Sequence, residues 1–114
     1  MKLINQSKDL KIIEDLSKAV TFWQRMVGLL GKEDLSLNKG LLITPCKIIH
    51  TFFMKFPLAL IFLDDSNQVV ELITYLQPNR VSPFVSSAVK VIELKARQNL
   101  EKKIELGDQL VILN

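Results

Sequence analysis

Apolar and polar positions alternate along much of this chain with a period of two, the spacing of a half-buried β-strand. "KLIN" and "LKIIEDL" read as two short strands, and "SKDL" between them supplies a hairpin turn. The period then changes. In "VTFWQRMVGLLG", Phe22, Met26, Leu29 and Leu30 recur at helical spacing, and Trp23 and Val27 widen the same stripe. Thr21 suits the start of this helix and Gly31 its end. Arg25 falls at the edge of the stripe, where an arginine lays its stem on the core and directs its guanidinium to a neighbour.

The rest of the chain returns to strands. "GLLITP" is short and buried in character. In "PLALIFLD", Leu58, Leu60 and Phe62 form one apolar face and Ala59, Ile61 and Leu63 the other, so this strand needs cover on both sides. "DDSN" is a turn, and "QVVELITYL" completes a long hairpin. "QPNRVSPF" is a loop with two prolines and "AVKVIELK" a further strand. "ARQNLEKKI" reads as a helical turn or an irregular connection, and "ELGDQLVILN" as a Gly-Asp turn with a closing strand. Gly107-Asp108 is read as a turn and nothing more. Strands and helices do not alternate regularly, which argues against a doubly wound parallel sheet. The pattern predicts a mainly β (α+β) fold over residues 1–114 as a single domain: a compact, mostly antiparallel barrel or sandwich with one packed α-helix.

Composition narrows the class without naming a function. A chain of 114 residues is long enough for one core, and 48% apolar with 24% charged residues is an ordinary soluble balance. The net charge is +3, with both signs mixed in "KEDLSLNK" and "EKKIE", so no basic face for nucleic acid is expected. A single Cys rules out an internal disulfide framework and fits a reducing compartment. Acidic residues interrupt the N-terminus where a signal peptide needs apolar ones, and no apolar run approaches the roughly 18 residues of a membrane span. A cytoplasmic protein with no membrane partner is the expectation.

The stretch "PCKIIHTFFMKFPL" concentrates the candidate chemistry. It holds Cys46 and His50, the only residues of their types. On an extended backbone they stand about 13 Å apart, too far for a thiol–imidazole hydrogen bond. A helical turn, which Pro45 and the β-rich surroundings oppose, or a bend would be needed to make them a nucleophile and base. Zinc needs three or four ligands, and one Cys with one His falls short, so no metal is expected. Asp64 and Asp65 lack the spacing of a calcium loop. Phe52, Phe53, Met54 and Phe56 read as core packing, with a base-stacking platform as the sharper alternative.

These motifs, taken in order, resemble the bacterial and archaeal family called domain of unknown function 192. "RMVGLLG" carries Arg25, Gly28 and Leu29; "GLLITPC" carries Gly40 and Cys46; "IHTFFMKFPL" carries His50, Thr51, Met54, Lys55, Pro57 and Leu58. "IFLD" follows with Phe62 and Asp64, "LQPNR" with Pro78 and Arg80, "VIEL" with Glu93 and Leu94, and "GDQL" with Gly107 and Asp108. The resemblance runs from about Val20 to Leu113. This chain departs from it twice, with Ala59 where the family pattern has Asp and Arg97 where it has Gly. The resemblance marks Arg25, His50, Thr51, Lys55 and Arg80 as a polar set suited to a carboxylate, phosphate or sugar-acid group. The alternative is that Arg25 and Arg80 tie loops to backbone carbonyls or to Glu93. The expectation is a non-catalytic binding or accessory module, without cofactor, for an anionic small molecule, sugar or peptide. A hydrolase-like enzyme using Cys46 or His50 is one competitor. A protein-interaction module, marked by a contiguous exposed apolar patch, is the other.

Overall fold

A computed structural model describes residues 1–19, 38–52 and 54–114. The predicted helix from Phe22 to Leu30, with Arg25, lies outside the described residues, as does Phe53.

Among the described residues, eight strands form two sheets. The first has the order β2 (Leu10–Ile13), β1 (Lys2–Asn5), β8 (Leu110–Leu113). The second has the order β3 (Asp15–Ala19), β4 (Lys39–Ile43), β7 (Lys90–Lys95), β5 (Leu58–Leu63), β6 (Val69–Leu76). All neighbours are antiparallel except β3 and β4, which pair in parallel. The only helix among the described residues is the short α1 (Leu100–Lys103), where "ARQNLEKKI" predicts a helical turn. No helix among them is long and apolar enough to cross a membrane. The mainly β fold class holds, with one correction to the barrel alternative. β2 and β8 end the first sheet and β3 and β6 the second, so the arrangement is sandwich-like and open. A single bridge between Gln68 and Gln109 joins β6 to the start of β8 without closing a barrel.

The apolar alternation of β5 explains where the core lies. All six of its residues are buried. Ala59, Ile61 and Leu63 face the layer between the sheets, with Leu3, Ile13, Leu16, Ile92 and Leu110. Leu58, Leu60 and Phe62 face the other side, where Ile49, Met54, Phe56 and Ala88 cover them. Each fully buried side chain of this size contributes roughly 1.5–3 kcal/mol. The stretch "PCKIIHTFFMKFPL" is thus itself held by the second core, through Ile49, Met54, Phe56 and Leu58.

Two local features depart from the sequence reading. "LKIIEDL" divides into β2 and β3, one in each sheet. Its register against β1 slips between Leu3 and Ile4, leaving Ile12 as a bulge, so that Ile12 and Ile13 are both buried. Glu14, exposed at the crossing, pairs with Lys11 and Lys2. The second concerns the Gly107-Asp108 turn. Gly107 has φ +88°, as a turn requires, but Asp108 turns inward. Its carboxylate accepts hydrogen bonds from Asn5 Nδ2 at 2.8 Å and Glu105 N–H at 3.0 Å, and Lys8 Nζ lies 3.1 Å away. The turn therefore joins the β1–β2 hairpin to β8, and reading it as a turn alone is corrected. Burial opposes ionisation of Asp108, but the hydrogen bonds from Asn5, Glu105 and Lys8 outweigh it and hold the carboxyl below its usual range.

Candidate functional site

Residues 49–52, Met54 and residues 77–82 are clasped together around Thr51, which is fully buried. Its N–H donates to Arg80 O at 2.8 Å, and its carbonyl accepts from Asn79 N–H at 2.9 Å and Met54 N–H at 3.2 Å. Its hydroxyl donates to Gln77 O at 2.6 Å and accepts from Arg80 N–H at 2.9 Å. Asn79 adopts the left-handed conformation, φ 62°, that an Asn tolerates in a tight turn. Ser82 extends the clasp: its N–H donates to Ile49 O at 2.8 Å, while its hydroxyl accepts from Ile49 N–H at 2.9 Å. Lys47 closes the far end, donating to Ser86 O at 2.7 Å and Ala88 O at 2.5 Å.

These bonds are nearly all to backbone, so they set loop geometry and leave the neighbouring side chains to face outward. Arg80 is exposed; its Nη1 donates to Asn79 O at 3.2 Å and its Nη2 lies 3.5 Å from Gln77 Oε1. Of the alternative reading, the tie of Arg80 to a backbone carbonyl is made, at Asn79 O, and its tie to Glu93 is not. Lys55 is exposed one residue beyond buried Met54. His50 is half-buried, bridges to Val81 across the clasp and stacks on Phe52, with ring centroids 5.1 Å apart and planes at 27°. Of the five residues marked by sequence, Thr51 and Arg80 are directly bonded and His50 is brought beside them. Arg25 lies outside the described residues.

The same segments carry apolar side chains that a soluble surface normally hides. Phe84 is 64% exposed, Val81 52%, Ile48 45% and Phe52 42%. The "FFMKF" stretch is thus split: Met54 and Phe56 are core, while Phe52 faces out. Val81 and Phe84 were not marked as functional by sequence. The available signal was that both are large apolar residues in "QPNRVSPF", a proline-containing loop, and loops run over the surface. A recess of about 420 Å³ is lined by Pro45, Cys46 and Lys47, which precede Ile48 in the chain, together with Ala88 and Val89.

The chemistry open to this surface follows from what is already engaged. The Thr51 hydroxyl donates its hydrogen bond to Gln77 O and accepts from Arg80 N–H, so it offers little to a ligand. Cys46 is half-buried, and its thiol donates to Ile48 O at 3.2 Å, a carbonyl that cannot activate it as a nucleophile. Asp64 Oδ1 accepts from Ser66 N–H and Gln68 N–H, both at 2.9 Å, forming the β5–β6 turn. Among the described residues, no group of three or more His, Cys, Asp or Glu is placed to hold a metal.

The two departures from the family pattern fall in different surroundings. Ala59 is fully buried opposite Leu94, in the layer between the sheets. Arg97 is half-buried after β7, with Nη2 donating to Ile12 O at 2.9 Å.

Comparison with known proteins agrees with this picture of the fold. Among curated proteins, none matches the chain. A crystal structure of a protein of unknown function from Novosphingobium aromaticivorans superposes with a TM-score of 0.77 at 18% identity, covering 97% of this chain and 82% of the other. The crystal structure of a candidate transcription regulator from Sinorhizobium meliloti gives a TM-score of 0.71 at 21% identity, covering 96% and 89%. At these identities the likeness concerns the fold. The family model of domain of unknown function 192, described as uncharacterised ACR, matches residues 3–112. That match reaches back past Val20 to include β1 and β2, so both sheets fall within it. The chain belongs to the domain of unknown function 192 family.

Proposed function

We propose that this chain is a non-catalytic binding module that engages a peptide segment of a partner protein through the clasped surface of residues 47–55 and 80–86. The observation that carries the reading is the exposure of Ile48, Phe52, Val81 and Phe84 on two segments that are hydrogen-bonded to each other and that also carry the exposed Arg80 and Lys55. Exposed apolar groups of this size, rimmed by charge, favour a protein contact. Apolar side chains of the partner would cover Phe84 and Val81 and enter the recess beside Cys46. Acidic residues would meet Arg80 and Lys55. Occupation of the Thr51 hydroxyl favours this peptide reading over recognition of a small sugar acid.

The test is selection of a displayed library of random twelve-residue peptides on the wild-type protein and on the Phe84→Ser and Arg80→Ala variants. Enriched peptides should combine apolar and acidic residues. Their affinity should fall at least tenfold on Phe84→Ser and several-fold on Arg80→Ala, with both variants folded by circular dichroism. Equal binding to all three proteins, or no enrichment, would sink the proposal.

A further inference from the structure

A groove of about 450 Å³ opens where the end of β6 meets the segment that leaves β7 and enters α1. Tyr75 contributes from β6, residues 96–99 from the connecting segment and Glu101 from α1. No lining residue is shared with the clasped surface.

The connecting segment is fixed through its main chain. Ala96 N–H donates to Pro57 O at 3.1 Å, Lys102 N–H donates to Asn99 O at 3.0 Å, and Leu100 is fully buried. Asn99 takes the left-handed conformation, φ 65°, which an asparagine tolerates, and its side chain does not cap the helix. Arg97 is committed to the fold by the bond from its Nη2 to Ile12 O. Other lining side chains are left uncommitted. Among the described residues, those of Tyr75, Gln98, Asn99 and Glu101 make no hydrogen bond or ion pair within the chain, and all four are exposed.

The kinds of group present decide which ligand they suit. Tyr75 and Ala96 are the only apolar or aromatic lining residues, so a wholly apolar ligand finds little cover. Arg97 and Glu101 bring one charge of each sign, so no one-sided field favours an ion. Gln98 and Asn99 each offer a carbonyl acceptor and an amide donor, and Glu101 offers two acceptor oxygens. Neighbouring hydroxyls, which both donate and accept, match that set. Tyr75, 60% exposed, supplies a ring face. The negative face of an aromatic ring attracts the slightly positive C–H face of a pyranose. The volume is that of a small-ligand cleft.

We infer that this groove is a carbohydrate site, in which a neutral pyranose lies on the Tyr75 ring and its hydroxyls bond to Gln98, Asn99 and Glu101. Stacking supplies most of the affinity, and the amides and the carboxylate select the stereochemistry of the hydroxyls. This site is independent of the peptide surface proposed above.

Tyr75 is the only tyrosine, so its ring protons form a single tyrosine spin system in the NMR spectrum of the whole protein. We would titrate that protein with maltotriose and with cellotriose, which present one pyranose in two linkages. At least one should move the Tyr75 ring signals saturably, and the sugar C–H signals over the ring should shift upfield. Tyr75→Phe keeps the stacking face and should bind within about threefold of wild type, whereas Tyr75→Ser should weaken binding at least tenfold. Gln98→Ala and Glu101→Ala should each weaken it several-fold. Circular dichroism should be unchanged in all four variants, because the replaced side chains are exposed. The proposal is overturned if neither trisaccharide moves the Tyr75 ring at about 10 mM, a concentration that detects even weak sites. It is also overturned if Tyr75→Ser binds as well as wild type. Tenfold tighter binding of glucuronate or choline than of the trisaccharides would overturn it too, for the groove would then select charge.

Discussion

Thr51 and Asp108 are both buried polar residues that tie distant segments together, yet they treat the charges around them in opposite ways. Thr51 is neutral and bonds almost entirely to backbone, so Arg80 and Lys55 remain outward. Asp108 is charged and draws Asn5 and Lys8 in toward itself, and Lys8 is further held by Glu105. The Glu105 hydrogen bond is the main reason the Lys8 pKa is raised. The difference teaches where recognition can reside. A knot that satisfies its charges internally holds the fold. A clasp that satisfies only its backbone leaves cations and apolar groups available to a partner.

The comparison is sharpened most by placing a carboxylate in the core without partners. Ala59→Asp should cost more than about 4 kcal/mol, or prevent folding, because an unpaired charge between the sheets is far from water. Denaturant unfolding measures it. A loss under about 1 kcal/mol would show that the new carboxylate reaches a cation such as Arg97.

Breaking the knot itself comes next. Asp108→Ala removes the acceptor of Glu105 N–H and one of the two acceptors of Asn5 Nδ2, which keeps only Lys103 O, and should cost about 3 kcal/mol in urea unfolding. The same carboxyl gives a pH dependence. Its folded pKa is depressed below the ordinary 3.8, so its stabilisation is fully present above that value. It is lost as pH falls from there through the folded pKa. Wild-type stability should therefore fall more steeply below about pH 4 than that of Asp108→Asn, as thermal melts across acid pH would show. Parallel acid limbs would mean that Asp108 is no better stabilised folded than unfolded.

Thr51→Val keeps the shape and removes the hydroxyl. It leaves Gln77 O and Arg80 N–H short of a partner and should cost about 2 kcal/mol. Amide exchange at residues 77–82 should accelerate. The smallest effect on stability belongs to Phe84→Ser, within about 0.5 kcal/mol of wild type, because the ring is largely solvent-exposed. A loss above about 1.5 kcal/mol would mean that Phe84 is a packing residue and the patch is part of the fold.

Legibility in the sequence varied with the distance over which each signal acts. The period-two pattern of Leu58–Leu63 foretold cover on both faces, and the two core clusters divide along those alternate residues. "DDSN" foretold its turn because Asp64 bonds only to the next few amides. The crossing at Glu14 was not legible, since the pattern of "LKIIEDL" is continuous while its pairing is not. Nor was the insertion of β7 between β4 and β5, which no local composition encodes. Family motifs marked the residues of the polar set, but the bonds that Thr51 makes were not legible, because its partners lie 26 and 29 residues away.

What the sequence by itself determined is therefore the period of each strand, the chemistry of its turns and the family to which the chain belongs. These rest on neighbours within a few residues, and steric and hydrophobic preferences act at that range. Tertiary structure alone decided that Asp108 is buried with Asn5, 103 residues away, that Phe84 is left in water, and that Glu93 on β7 is buried. Burial and hydrogen-bond satisfaction are properties of the assembled surroundings, and the same Asp, Phe or Glu has no fixed value of either until the chain has closed around it.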